Sequence, residues 1–268
     1  MSEKPLILAL ETSSRIGSVA LAEGPALLAE TRFSGAMKHS AELFPAISHL
    51  LDRFARRPED IRHLYISIGP GSFTGLRIAV AVAKSMHLAG KLSTVAVDSL
   101  DVIAANVTHP APESSTRASD PQNKDAYPER IAPILDAKRG QFYVAIYQKR
   151  KPKNANSVEK PSGWCAHYQK VRTDSLLSTA QILEMFANSE KPLHLLGDGL
   201  LYHRQQFEHE GIRILDASLW SPRAANVHAL GWPLALEGRF ADPLTLTPLY
   251  IRRPEAEEKW QQRNRSAR

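Results

Sequence analysis

Residues 68–77 read Ile-Gly-Pro-Gly-Ser-Phe-Thr-Gly-Leu-Arg, set between an apolar run, Leu64–Ile68, and a small-residue stretch, Ile78–Leu88. The run has strand character and the stretch has helical character, so the segment is a glycine-rich strand-to-helix turn. Gly69, Gly71 and Gly75 permit positive φ and a close approach by other backbone. Ser72 or Thr74 can cap the exposed amides of the helix. Such turns receive phosphate or carboxylate groups, because free N–H groups and the helix dipole converge on them. Leu76, and not Lys, follows Gly75, which excludes a P-loop. On these residues alone, an anion site and a plain tight turn are equal readings.

Upstream, Leu6–Leu21 reads as two apolar strands joined by a short polar turn. Glu11 closes the first strand, and Thr12, Ser13 and Ser14 line the turn. Glu11 could orient a phosphate or a metal-bound water, or it could simply accept amides from the turn beside it. General acid–base chemistry needs a second positioned group, and none is identifiable. Ser72 is not in a Gly-x-Ser-x-Gly elbow, so a serine nucleophile is not assigned.

Composition narrows the class. A chain of 268 residues buries roughly 75% of its unfolded surface and needs no staples. The single Cys165 excludes an internal disulfide and fits a reducing compartment. No secretory leader is expected at the N-terminus, and no apolar run approaches the ~18 residues of a bilayer span. A cytoplasmic protein without membrane contact is the expectation. Lys and Arg exceed Asp and Glu by 34 − 28, or +6, which permits nucleic-acid contact without requiring it. Lys149, Arg150, Lys151 and Lys153 form one basic run, and Lys259, Arg263, Arg265 and Arg268 another. A solvated hairpin tip and tail explain these charges, as would contacts to tRNA phosphates; no aromatics interleave with them as a stacking platform.

Periodicity predicts strands at Leu6–Leu10, Ser18–Ala22 and Leu27–Phe33, a helix at Ser40–Phe54, a strand at Leu64–Ile68, a helix at Thr74–Leu88, a strand at Thr94–Val97 and a short helix at Leu100–Asn106. The order then restarts. Strands are predicted at Ile131–Leu135, Gln141–Tyr147 and Cys165–Val171, with a helix at Thr179–Ala187. A strand at Leu193–Leu196, a helix near Leu201–Phe207, a strand at Ile212–Leu215 and a helix from Pro222 complete the copy. The expected organisation is an N-terminal half (1–107), a polar, proline-rich mobile insertion (108–130), a C-terminal half (131–255) and a disordered tail (256–268).

These segments, with His39-Ser40, Asp136-Ala137-Lys138-Arg139-Gly140 and Pro248-Leu249-Tyr250-Ile251-Arg252, resemble the bacterial TsaB (YeaZ) family of threonylcarbamoyladenosine biosynthesis proteins. The resemblance is closest over residues 6–105 and looser to about 254. It implies an α/β fold of two ribonuclease-H-like halves, the second reduced, of the actin-like, Hsp70 and sugar-kinase superfamily. It also implies a non-catalytic subunit that organises the catalytic threonylcarbamoyltransferase subunit. The reaction modifies the adenosine beside the anticodon in tRNAs reading ANN codons. A small ATPase, a second copy of the chain and, through the complex, tRNA are the other implied partners. The alternative is an independent ATP-dependent phosphotransferase or carbamoyltransferase of the same fold.

By the same resemblance, Glu11, Thr12, Ser13, Gly71, Ser72, Gly197 and Gly199 mark turns facing nucleotide or phosphate. The turn Gly197-Asp198-Gly199 lacks the adjacent glycines of a full adenosine pocket, so no cofactor of its own is expected; ATP or ADP would lie at the junction with partner subunits. The catalytic relatives bind metal through histidines four residues apart on a helix. None of the ten histidines here has a partner at that spacing, so no metal is expected. In the family the helices Ser40–Phe54 and Thr74–Leu88 form a four-helix contact with a second copy or the catalytic subunit. Ser40, Leu43, Phe44, Ile47, Gly75, Arg77, Ala79, Ala83 and Met86 are the expected interface. Core packing would call for the same small residues.

Overall fold

The computed structural model describes residues 4–36, 38–90, 92–109, 127–150, 167–186 and 191–252. The first half contains β1 (Leu6–Glu11), β2 (Ser18–Glu23), β3 (Ala26–Arg32), α1 (His39–Arg53), β4 (Ile61–Ser67), α2 (Phe73–Gly90), β5 (Ser93–Val97) and α3 (Ser99–Ala104). The second contains β6 (Arg130–Asp136), β7 (Gln141–Lys149), β8 (Tyr168–Ser178), α4 (Thr179–Glu184), β9 (Leu193–Leu196), α5 (Leu200–His203), β10 (Ile212–Ile214) and α6 (Ala224–Leu236).

The two sheets share one plan. The first runs β3-β2-β1-β4-β5 and the second, read from its other edge, β8-β7-β6-β9-β10. In each, three antiparallel strands are followed by two that join parallel to the first. Alternation along β1 sorts its side chains. Leu6, Leu8 and Leu10 join Leu43, Leu50, Ala79 and Ala83 of α1 and α2, while Ile7 and Ala9 join a larger core with α3, α6 and the second sheet. Side chains such as Leu43 and Leu50, at 1% and 0% exposure, each contribute roughly 1.5–3 kcal/mol by leaving water.

One arrangement crosses the sequence halves. Helix α6 packs on β1, β2, β4 and β5 of the first sheet, and α3 packs on β6 and β7 of the second. The start of α6 is held by the first half: Ser18 Oγ accepts from Ala224 N at 2.8 Å, and Glu30 accepts from Ala225 N at 3.1 Å. Arg223, extended at the N-cap, pairs with Glu30 at 2.7 Å. The helix therefore begins at Ala224 and not at the predicted Pro222.

Strand β8 continues to Ser178, beyond the predicted end at Val171. Arg172, Thr173, Asp174 and Ser175 read as loop because they are polar, yet they lie on an edge strand, where polar residues belong. Helix α4 stops at Glu184, short of the predicted Ala187, and the predicted Leu201–Phe207 helix divides into α5 and a 3-10 turn at Arg204–Phe207. Most of the insertion 108–130, the tail 256–268, Cys165, Lys151 and Lys153 lie outside the described residues.

Candidate functional site

A cleft of about 350 Å³ opens between the halves. Ser13, Ser14, Arg15, Gly71, Ser72 and Phe73 line it from one side; Asp136, Ala137, Lys138, Tyr143, Asp198 and Tyr202 line it from the other. Two turns of the first half interlock at its floor. Ser72 N donates to Ser13 O at 2.7 Å, and Ser72 Oγ accepts from Gly75 N at 3.3 Å as the predicted helix cap. A Cβ on Gly75 would lie 1.8 Å from the Thr12 carbonyl oxygen, so only glycine admits this approach. His39, the first residue of α1, contacts Ser14 O through Nε2 at 2.9 Å and holds the turn from behind.

Each hydroxyl of the Thr12–Ser14 turn is committed to a protein acceptor. Thr12 donates to Gly75 O at 2.8 Å, Ser13 to Glu11 Oε1 at 2.6 Å, and Ser14 to Asp198 Oδ2 at 2.6 Å. The last bond joins the halves across the cleft. Arg15 N adds a longer contact to the same Asp198 oxygen, 3.4 Å. A carboxylate from the second half thus sits on the turn where a phosphate-binding protein would hold its phosphate.

Burial pushes the Glu11 carboxyl up to about 7 against the pull of its Ser13 bonds, with the Asp198 charge adding to the rise. Its Oε2 makes no hydrogen bond among the described residues, though the neighbouring Ser67 hydroxyl also pulls the carboxyl down. Asp198 is also raised by burial, less the pull of Ser14 and Arg15. Burial would raise Asp136 as well, but hydrogen bonds and charge from Lys138 hold it below the usual carboxylate range. Arginines stack on aromatic rings at the rim: Arg15 lies 5.1 Å from the Tyr202 centroid and Arg77 3.8 Å from that of Phe73. Tyr250 packs on Phe73 at 5.4 Å and accepts from Arg77 Nε at 3.1 Å.

The predicted nucleotide-facing residues separate into three groups. Ser13, Gly71 and Ser72 line the cleft. Glu11 and Thr12 are fully buried beneath it. Gly197 and Gly199 press on the backbone of β6, where a Cβ on Gly197 would lie 2.2 Å from Ile134 O, and they deliver Asp198 to the cleft instead of facing it themselves. The predicted interface residues also divide. Leu43, Ile47, Gly75, Ala79 and Ala83 are buried in the monomer, because the sheet consumes that face of each helix. Ser40 and Arg77 remain exposed, with Phe44 61% exposed and Met86 half-buried. Asp198, Ser14, Arg15 and Tyr202 were not singled out as site residues; only an aspartate between two glycines hinted at the first. Among the described residues, no group of His, Cys, Asp and Glu could hold a metal ion, and no helix is long and apolar enough to cross a membrane.

Two repeated sheets around a central cleft give a two-lobed protein of the actin-like fold. The family model described as TsaD, tRNA N6-adenosine threonylcarbamoyltransferase, matches residues 34–260. The Bacillus subtilis tRNA threonylcarbamoyladenosine biosynthesis protein TsaB is 31% identical over 95% of this chain and 97% of its own length. Its Escherichia coli namesake is 22% identical over 94% and 97%. The solved structure of YeaZ from Pseudomonas aeruginosa superposes with a TM-score of 0.70 at 22% identity, covering 92% of this chain and 99% of that one. The chain belongs to the TsaD-type family and, within it, to the TsaB (YeaZ) branch.

Proposed function

We propose that this chain is a non-catalytic subunit in the formation of threonylcarbamoyladenosine on tRNA. It holds the catalytic transferase subunit in its competent arrangement, at the adenosine beside the anticodon of tRNAs reading ANN codons. The observation that carries this reading is the commitment of the Thr12, Ser13 and Ser14 hydroxyls to internal acceptors. The turn spends its donors on its own protein, and Asp198 places negative charge where a nucleotide phosphate would arrive. The exposed face of α1 and α2, with Ser40, Phe44, Arg77 and Met86, is the surface offered to the catalytic subunit or to a second copy. A small ATPase completes the assembly, ATP or ADP lies at its junctions, and the compartment is the cytoplasm.

Reconstitution tests this directly. Purified transferase, ATPase, activated donor and tRNA give modified nucleoside with this chain present and background without it; full activity in its absence overturns the proposal. Glu11, with a carboxyl near 7 and an oxygen that makes no hydrogen bond among the described residues, favours a second reading, an enzyme acting alone. ATP hydrolysis or transfer by the isolated chain, abolished by Glu11→Gln, would support it.

A further inference from the structure

The floor, walls and rim of the cleft call for three different chemistries. The floor accepts hydrogen bonds and repels anions. Asp198 Oδ2 takes the bonds from Ser14 and Arg15, while Oδ1 has no hydrogen-bond partner among the described residues. A phosphate there would meet like charge in a partly desolvated site, whereas a neutral group bearing N–H donors would be matched.

The walls are aromatic. Tyr202 is 67% exposed and Phe73 40% exposed, both on the cleft, and each carries a stacked arginine. Exposed rings of this kind are stacking surfaces for unpaired bases. The rim is cationic and conformationally costly. Lys138 and Arg139 have φ of +65° and +58°, in a hairpin tip where Asn and Gly are the relaxed choices. Arg252 braces the tip by donating to Ala137 O and the Gln141 side chain. Lys138 reaches back to Asp136 Oδ2 at 2.6 Å with three-quarters of its side chain still exposed, so two exposed cations hold a position that favours neither backbone, and an arriving phosphate competes with Asp136 for Lys138.

We infer that the cleft takes an unstacked nucleobase of an RNA strand, with the base on the Tyr202 and Phe73 walls and the adjoining phosphates on the Lys138–Arg139 tip. The class of ligand follows from the combination of a neutral planar N–H donor and anionic linkers. The volume, at the low end for small-molecule sites, admits a base with its sugar and excludes a duplex. The inference deepens the proposed function and rests on it for the presence of RNA. It also moves the nucleic-acid contact away from Lys149 and Arg150. Those side chains bond Tyr127 O and Tyr168 O, at the far end of β7, roughly 25–30 Å from the tip.

The test is a titration of the full chain with a labelled RNA stem-loop and with a blunt RNA duplex of equal length. The stem-loop binds more tightly. Tyr202→Ala weakens stem-loop binding by about 5- to 150-fold, the worth of one stacked base, and leaves duplex binding unchanged. Lys138→Asn with Arg139→Gly makes the log–log salt slope shallower by about 1.4, two phosphate contacts on single-stranded RNA, while the unfolding midpoint holds or rises. Absence of stem-loop binding, equal binding of the two RNAs with Tyr202→Ala silent, or displacement of the stem-loop by micromolar ATP overturns the inference. Failure of the chain to form a complex with a TsaD-type subunit overturns the functional reading separately, since Tyr202→Ala leaves the α1 and α2 face untouched.

Discussion

The turn between β1 and β2 and the turn between β6 and β7 hold equivalent places in the two sheets and meet opposite fates. The first is swallowed: Thr12, Ser13 and Ser14 are buried and bonded to Gly75, Glu11 and Asp198. The second projects: Lys138, Arg139 and Gly140 are exposed, all at positive φ. The glycines attached to each show the same contrast. A Cβ on Gly75 would lie 1.8 Å from the Thr12 carbonyl oxygen, and one on Gly140 would meet nothing within 4 Å. One topology therefore yields a buried floor in one half and a projecting, solvent-exposed tip in the other, according to what the neighbouring helix does. The 18 residues of α2 start on top of the first turn, while the second half offers only the four residues of α5.

Gly75→Ala is the harshest way to break this comparison. It should cost 4 kcal/mol or more, because the Thr12 carbonyl cannot retreat without unpairing the floor. Gly140→Ala should cost only about 1 kcal/mol, the penalty of a Cβ at positive φ. Urea unfolding of the two variants compares them, and equal losses would remove the distinction.

The next effect is one of pH. Glu11 titrates near 7 in the fold against 4.5 when exposed, so between those values the folded chain binds more protons than the unfolded chain. The contribution of this group to stability therefore falls as pH rises through that window, by up to about 3 kcal/mol. Glu11→Gln should remove this falling contribution between pH 5 and 7.5, read as the difference between the two proteins' profiles. Asp174, pushed up to about 6 by burial against the pull of Lys170, adds in the same sense, and His39, His63, His109, His194 and His228, all lowered by burial, add in the opposite sense. A Gln variant with the full slope would show that Glu11 is ionised throughout.

Asp198→Ala removes the clasp across the cleft and should cost about 2 kcal/mol, since Ser14 loses a charge-assisted acceptor. It should also lower the Glu11 carboxyl, because the Asp198 charge helps to raise it. Chemical-shift titration of Glu11 checks the coupling. Smallest is Lys138→Asn with Arg139→Gly: about 0.5–1 kcal/mol gained by relaxing the projecting turn is offset by loss of the exposed Lys138–Asp136 pair, worth about 0–1 kcal/mol, for a net change near zero. A loss in thermal unfolding would mean that the tip is held for packing.

The elements of both halves were legible because each rests on local periodicity. Leu6, Leu8 and Leu10 against Ile7 and Ala9, or Leu43, Ile47, Leu50 and Leu51 along α1, announce their own geometry. A cap at Ser72 or Thr74 and a close approach at one of the glycines 69, 71 and 75 were legible from the turn's own residues, and the fold selects Ser72 and brings backbone onto Gly75. What escaped is carried by contacts distant in sequence. Ser14 and Asp198 stand 184 residues apart, and neither carries a local sign of the other. Arg15, Tyr202, Phe73 and Lys138 come from four segments and form an aromatic and cationic rim only once folded. The buried state of Ala79 and Ala83 shows the limit of composition, since small residues look alike whether they meet a sheet or a partner.

The exchange of α3 and α6 between the sheets has a consequence during synthesis. The first sheet is complete once Val97 has emerged, but the helix that covers Ile7, Ala9 and Tyr65 begins only at Ala224. At ~5–20 residues per second, the nascent chain carries that bare apolar sheet face for roughly 6 to 25 s before its cover exists. A chain stopped anywhere before α6 keeps that apolar face uncovered, so such a fragment is expected to aggregate where the full chain folds.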